Sequence, residues 1–131
     1  MIRIALAVIA GFALWSVLWI ASNAGLEAAF PAAYAEERTA ENVPVLVAIL
    51  VLSVVFSIAA GYLTAAVGRG SGFLAAWILA VIQLGVGLFV QIQGWHLLPV
   101  WFHLPFLIML APGILFGARL RLDRRPAPRL A

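Results

Sequence analysis

The sequence contains no cysteine and no lysine, has one aspartate and four glutamates, and is only 10% charged over its 131 positions. The missing cysteine excludes disulfides, thiolate metal centres and thiol redox chemistry together. No acidic residue falls inside a long apolar stretch, and intramembrane carboxylates are the usual mark of proton and ion pathways. No nucleophile–base pattern, phosphate loop or nucleic-acid motif occurs either. What fills the chain is apolar: 66% of it is hydrophobic and its mean hydropathy is +1.13. A typical soluble domain is about 45–50% apolar and about 25% charged. A soluble chain this short leaves much of its surface in water and has nowhere to hide so much apolar area. Its expected solvent is lipid, and its length allows one domain, 1–131.

A hydrocarbon layer about 30 Å thick takes roughly 20 apolar residues to cross as a helix. Four stretches qualify, at about 4–22, 45–67, 73–92 and 97–118. Pro44 suits a first helical turn. The string Gly68-Arg69-Gly70-Ser71-Gly72 reads as a tight turn and makes the second and third helices an antiparallel hairpin. The expected fold is an all-α integral membrane protein, a four-transmembrane-helix bundle built from two hairpins.

Arginine placement orients it. With the N-terminus inside, Arg3, Arg69, Arg119, Arg121, Arg124, Arg125 and Arg129 are cytoplasmic and only Arg38 is outside, with Glu27, Glu36, Glu37 and Glu41. The expected topology is N-in/C-in, and the net charge of +3 belongs to the membrane surface, not to nucleic acid. The outer loop 23–43 is expected to carry a short surface helix over 31–41. The basic tail 119–131, kept from helix by Pro126 and Pro128, is expected to meet anionic headgroups at about 1 kcal/mol per Arg. Met1-Ile2-Arg3, an apolar run and Ala33-Tyr34-Ala35 have the outline of a signal peptide. The run is longer than the 7–15 residues of a signal and the cleavage site lies far beyond it, so the expectation is no cleavage. GFALW at 11–15 echoes GFLAAW at 72–77, and Ala60-Gly61…Arg69 echoes Pro112-Gly113…Arg119. Chance produces such matches in Ala/Leu/Gly-rich helices, so no duplication follows.

Membrane helices approach one another at small residues. Ser53, Ser57, Gly61 and Ala65 form a stripe on the second helix. Gly113 and Gly117 make a GxxxG on the fourth, and Ala7 and Gly11 a similar pair on the first. They read as seams inside the bundle, or as a face turned towards a partner. Gln83, in the middle of the third helix with Gly87 and Gln91 on the same face, reads as interhelical glue, with Ser53 or Ser57 as partner. A solute-coordinating role is the alternative. Trp15, Trp19, Asn23 and Glu27 share a face of the first helix; Trp15 is deeper than an aromatic belt requires and packs in the bundle or against a partner or pigment. At the outer end of the last hairpin, Trp95 and Trp101 read as interface anchors. His96 is expected in the turn and His103 on the helix. With Glu27 they form a candidate polar cluster, although metal sites normally show tighter spacing. Pro105 and Pro112, seven apart, are expected to kink the fourth helix on one face.

Three known families of similar size are disfavoured. Small multidrug transporters place a carboxylate deep in the first helix, where this chain has none. The Gly-rich Arg motif of small fluoride channels is not found within a span, and vitamin K epoxide reductase-like proteins need cysteines. Ala60-Gly61-Tyr62-Leu63-Thr64-Ala65 before an Arg/Gly turn, Pro99-Val100-Trp101-Phe102 opening the fourth helix, and Pro112…Gly117-Ala118-Arg119 closing it carry a resemblance. Over its last two-thirds the chain resembles small, uncharacterised four-helix inner-membrane proteins of bacteria, which implies a bacterial inner-membrane location and no activity. The expected function is non-catalytic: an accessory or structural subunit that packs in a larger membrane assembly or self-associates. The alternative is a minimal homo-oligomeric transporter or channel lined by Gln83, Ser53, Ser57 and the proline-kinked helix. A lipid- or quinone-directed enzyme near His96, His103 and Glu27 comes third. No cofactor or metal is expected, and the partners are the bilayer and other membrane subunits or further copies of the chain.

Overall fold

The computed structural model describes residues 2–31, 43–93, 95 and 100–123, and these are almost entirely helical. In chain order come α1 (Ile2–Ala29), α2 (Val43–Gly68), a 3₁₀ turn (Arg69–Ser71), α3 (Gly72–Gln93) and α4 (Val100–Asp123). Three helical segments are long and apolar enough to cross a membrane: Ile2–Ala29, Val43–Gln93 and Val100–Asp123. The sequence predicts four. Gly68 to Gly72 form a 3₁₀ turn with Arg69 at a φ of 49°, and the apolar segment of 51 residues, Val43–Gln93, contains both α2 and α3. Three apolar segments of this kind are compatible with a multi-pass membrane protein, and outward-facing Val81, Phe89 and Ile108 present apolar side chains to the surroundings.

Helix ends differ from the apolar boundaries for local reasons. α1 continues past 22 to Ala29 because residues after Ser22 include good helix formers, and Ser22 Oγ and Asn23 Nδ2 donate to the Trp19 carbonyl inside the helix. α4 carries Arg119 and Arg121 on its last turns, so the first residues of the predicted tail are helical. The surface helix at 31–41, most of the loop 23–43, the turn at 96–99 and the tail from 124 lie outside the described residues beyond Pro31. Pro105 and Pro112 both sit inside α4 with their rings exposed, on the side away from the buried row Phe102, Phe106, Leu110 and Ile114. Each removes the hydrogen bond to the carbonyl four residues earlier, at Trp101 and Ile108, on the outer face where no neighbouring helix has to accommodate it.

The helices pack through small residues. α1 runs antiparallel to α2: Arg3 Nη1 donates to the Val67 carbonyl at 3.5 Å, Gly11 faces Thr64 and Ala60, and Trp15 reaches Ser57. α3 runs antiparallel to α4, with Gly87 against Leu110 and the Arg119 guanidinium 5.6 Å from the Phe73 ring centre. α2 makes its most extensive contact with α4, in parallel. Here two copies of one pattern, Ser57-Ile58-x-x-Gly61 and Gly113-Ile114-x-x-Gly117, cross reciprocally. A Cβ on Gly61 would fall 1.8 Å from the Ile114 carbonyl oxygen, one on Gly117 would fall 1.9 Å from that of Ile58, and Gly113 packs on Ser57. The contact is two-fold in form although the helices differ elsewhere. It is the close-approach geometry that small-xxx-small sequences permit when no hydrophobic effect drives association. Ser53, Ser57, Gly61, Gly113 and Gly117 all lie buried there.

Candidate functional site

The buried polar side chains among the described residues are Ser53, Ser57, Thr64, Gln83, Gln91 and His103. Ser53 and Ser57 are spent locally: Ser53 Oγ donates to the Leu50 carbonyl at 2.7 Å and Ser57 Oγ to that of Ser53 at 2.8 Å. Ser57 Oγ also accepts from Trp15 Nε1 at 3.1 Å, which fixes the indole of α1 against α2. The expected pairing of Gln83 with either serine therefore does not form. Gln83 is 2% exposed, and its Oε1 has no hydrogen-bond partner among the described residues.

What Gln83 lines is a cleft of about 190 Å³ between α1, α3 and α4. One wall is aromatic. Trp15 and Trp19 stack with ring centres 5.1 Å apart and planes 14° from parallel, and Phe106 of α4 packs against both. Gly87 leaves room between α3 and that wall, and its missing side chain would meet Leu110 at 3.1 Å. Ile20, Val86 and Val90 form the rim and are exposed, so the cleft opens sideways between α1 and α3, not along the bundle axis.

Gln91 lines the same cleft two turns further along α3 and contacts His103 Nδ1. His103 is fully buried; its Nε2 lies 3.1 Å from the Trp95 carbonyl, and its ring stacks on the Trp95 indole at 4.2 Å and 10°. A carbonyl only accepts, so His103 Nε2–H donates to Trp95. As placed, Gln91 Oε1 is the atom that faces His103 Nδ1; for an imidazole that carries its one proton on Nε2, Nδ1 is an acceptor, and the amide must be turned so that its NH₂ donates to Nδ1. That turn leaves Gln91 Oε1 free of His103.

The predicted polar cluster is not assembled. Glu27 is exposed on α1, His103 is buried in α4, and His96 lies outside the described residues. Among the described residues no three metal-capable side chains come together. Trp101 is exposed on α4, edge-on to Phe102, while Trp95 serves both as a partly exposed ring and as the cover of His103. Sequence reasoning missed the pairing of Gln91 with His103, although the signal was present: both are six residues from position 97, the centre of the last hairpin. It also missed that Trp15, Trp19, Gln83 and Gln91 face one space. No family model, curated protein or solved structure matches this chain.

Proposed function

We propose that the chain is a non-catalytic accessory protein of a bacterial inner membrane that takes up a membrane-embedded partner in the cleft between α1 and α3. In this reading α2 and α3 each cross the bilayer, giving four spans with both termini cytoplasmic. The antiparallel run of α1 against α2 and of α3 against α4 supports that count, and the gathering of Arg3, Arg69, Arg119 and Arg121 at one end supports the orientation.

The observation that carries the reading is Gln83: a buried carboxamide with an unpartnered oxygen, in an aromatic-walled cleft that opens sideways between α1 and α3. An amide without a partner in an apolar medium costs roughly 2–7 kcal/mol, depending on the reference state. A partner that supplies a donor recovers part of that cost. The small-residue stripes are consumed in internal seams, so the cleft is the better candidate for contact with something else. The transporter reading loses support for the same reason: Ser53 and Ser57 donate to their own helix and lie within a helix seam.

The test is extraction of the tagged chain in native nanodiscs, followed by mass analysis of the intact assembly. The expected result is an additional stoichiometric component on the wild type that disappears in Val86→Trp, which fills the rim of the cleft. A bare chain, or the same composition in both, would overturn the reading.

A further inference from the structure

We propose that the cleft seats the ring of a lipid-soluble para-dihydroxybenzene, a quinol, with Gln83 and Gln91 accepting its two hydroxyl groups. This rests on the reading that the cleft takes a partner from the bilayer.

The ligand's donors follow from hydrogen-bond accounting. Gln83 Oε1 is buried without a partner, and buried polar atoms are rarely left so. Gln91 Oε1 becomes a second acceptor in the cleft once its NH₂ is committed to His103. The two oxygens need donors, which a ligand that only accepts does not supply, and an ammonium group would bring an uncompensated charge into a cleft with no carboxylate among its lining residues. Hydroxyl groups fit both oxygens.

The ring follows from shape. An apolar cavity of about 150 Å³ is enough to hold benzene, and this cleft of about 190 Å³ leaves space for substituents. The stacked Trp15–Trp19 pair and Phe106 supply the faces and edges that aromatic rings pack against.

The para arrangement follows from spacing. Gln83 and Gln91 are eight residues apart on one face of α3, about 12 Å along the axis at 1.5 Å per residue. Two O–H···O bonds of about 2.8 Å each leave roughly 6 Å between the ligand's oxygens, which is the span across a six-membered ring. Gln83 is in the middle of α3 and Gln91 near its end, so the ring lies along the helix and an alkyl tail leaves between Val86 and Val90 into lipid.

The experiment measures equilibrium binding of tritiated 2-decyl-1,4-hydroquinone to the full chain in lipid nanodiscs, under anaerobic conditions, with empty discs correcting for partition. Competitors are unlabelled hydroquinone, 4-decylphenol and the dimethyl ether of the hydroquinone. The expected result is saturable binding at one ligand per chain, with the ether competing at least about tenfold less well than the hydroquinone and the phenol between them. Gln83→Leu weakens binding about tenfold while unfolding no earlier than the wild type, and Val86→Trp abolishes it. Equal competition by hydroquinone and ether, or unchanged binding in Gln83→Leu, would overturn the proposal. Absence of saturable binding, while a protein still co-purifies through the cleft and is lost in Val86→Trp, would overturn the quinol and keep the accessory reading. Absence of both would remove the two together.

Discussion

Single residues show how narrowly this fold is drawn. Gly61 and Gly117 each bring a backbone carbonyl of the facing helix to where a methyl group would sit, and a carbonyl cannot rotate aside as a side-chain tip can. Gly61→Ala therefore forces α2 and α4 apart and is expected to cost about 1–3 kcal/mol, measured as a lower midpoint of unfolding in detergent. At Gly85 and Gly25 a Cβ would meet nothing within 4 Å, so Gly85→Ala serves as the matched control and is expected to lose no stability. Arg69 holds φ at 49°, in the left-handed region. Arg69→Gly relieves about 1 kcal/mol of local strain and should raise the same midpoint slightly, unless loss of the positive charge disturbs orientation, which a topology assay separates. Gln83→Leu replaces an unsatisfied amide with an apolar group of similar size and is expected to leave stability unchanged or improve it. The glycine and serine spacing was legible in the sequence. Its partners were not, because a small-x-x-x-small stripe states that something approaches closely and not which helix does. Gln83 was legible as a polar residue in mid-helix, but its lack of a partner depends on the serines having bonded to their own backbone, a choice that spacing does not record.

Between elements, the reciprocal crossing of α2 and α4 predicts non-additivity. Once Gly61→Ala has separated the helices, Gly117→Ala has less left to disturb, so the double variant should lose less than the sum of the single ones, by at least about 0.5 kcal/mol. The α3–α4 hairpin is pinned at its other end by Gln91, His103 and Trp95. His103→Leu strands the Gln91 amide and the Trp95 carbonyl together and is expected to cost about 2 kcal/mol. In the background of Gln91→Leu the same change should cost less, because one of the stranded groups has gone. An unfolding titration of the four proteins in this cycle decides the point; equal costs in both backgrounds would remove the proposed bond. Helix existence was plain from hydropathy, since apolar runs of this length have few other uses. Helix ends were not, because lipid thickness limits the apolar stretch while capping and propensity limit the helix. That is why α1 and α4 outrun their apolar cores at Ala29 and Asp123.

For the molecule as a whole, the proposed orientation rests on the charge asymmetry of the sequence and has its own test. Because the chain has no native cysteine, single cysteines report without background. Ser71→Cys is expected to react only with thiol reagents that reach the cytoplasm, and Glu27→Cys with an impermeant reagent added outside; the reverse pattern would invert the topology. What no sequence pattern disclosed is the sideways cleft, since it arises from α1 and α3 lying side by side at Trp15, Trp19 and Gly87, residues far apart in the chain.

The α2–α4 crossing also bears on how the protein is made. Ser57 leaves the ribosome roughly 56 residues ahead of Gly113, which at about 5–20 residues per second is a delay of about 3–11 s. During that interval the glycine face of α2 has α1 and then α3 as neighbours but not the helix it fits best. The tightest seam closes only once α4 has been made, so a later segment commits the earlier ones, and a chain that stops before α4 is left with an unclosed seam.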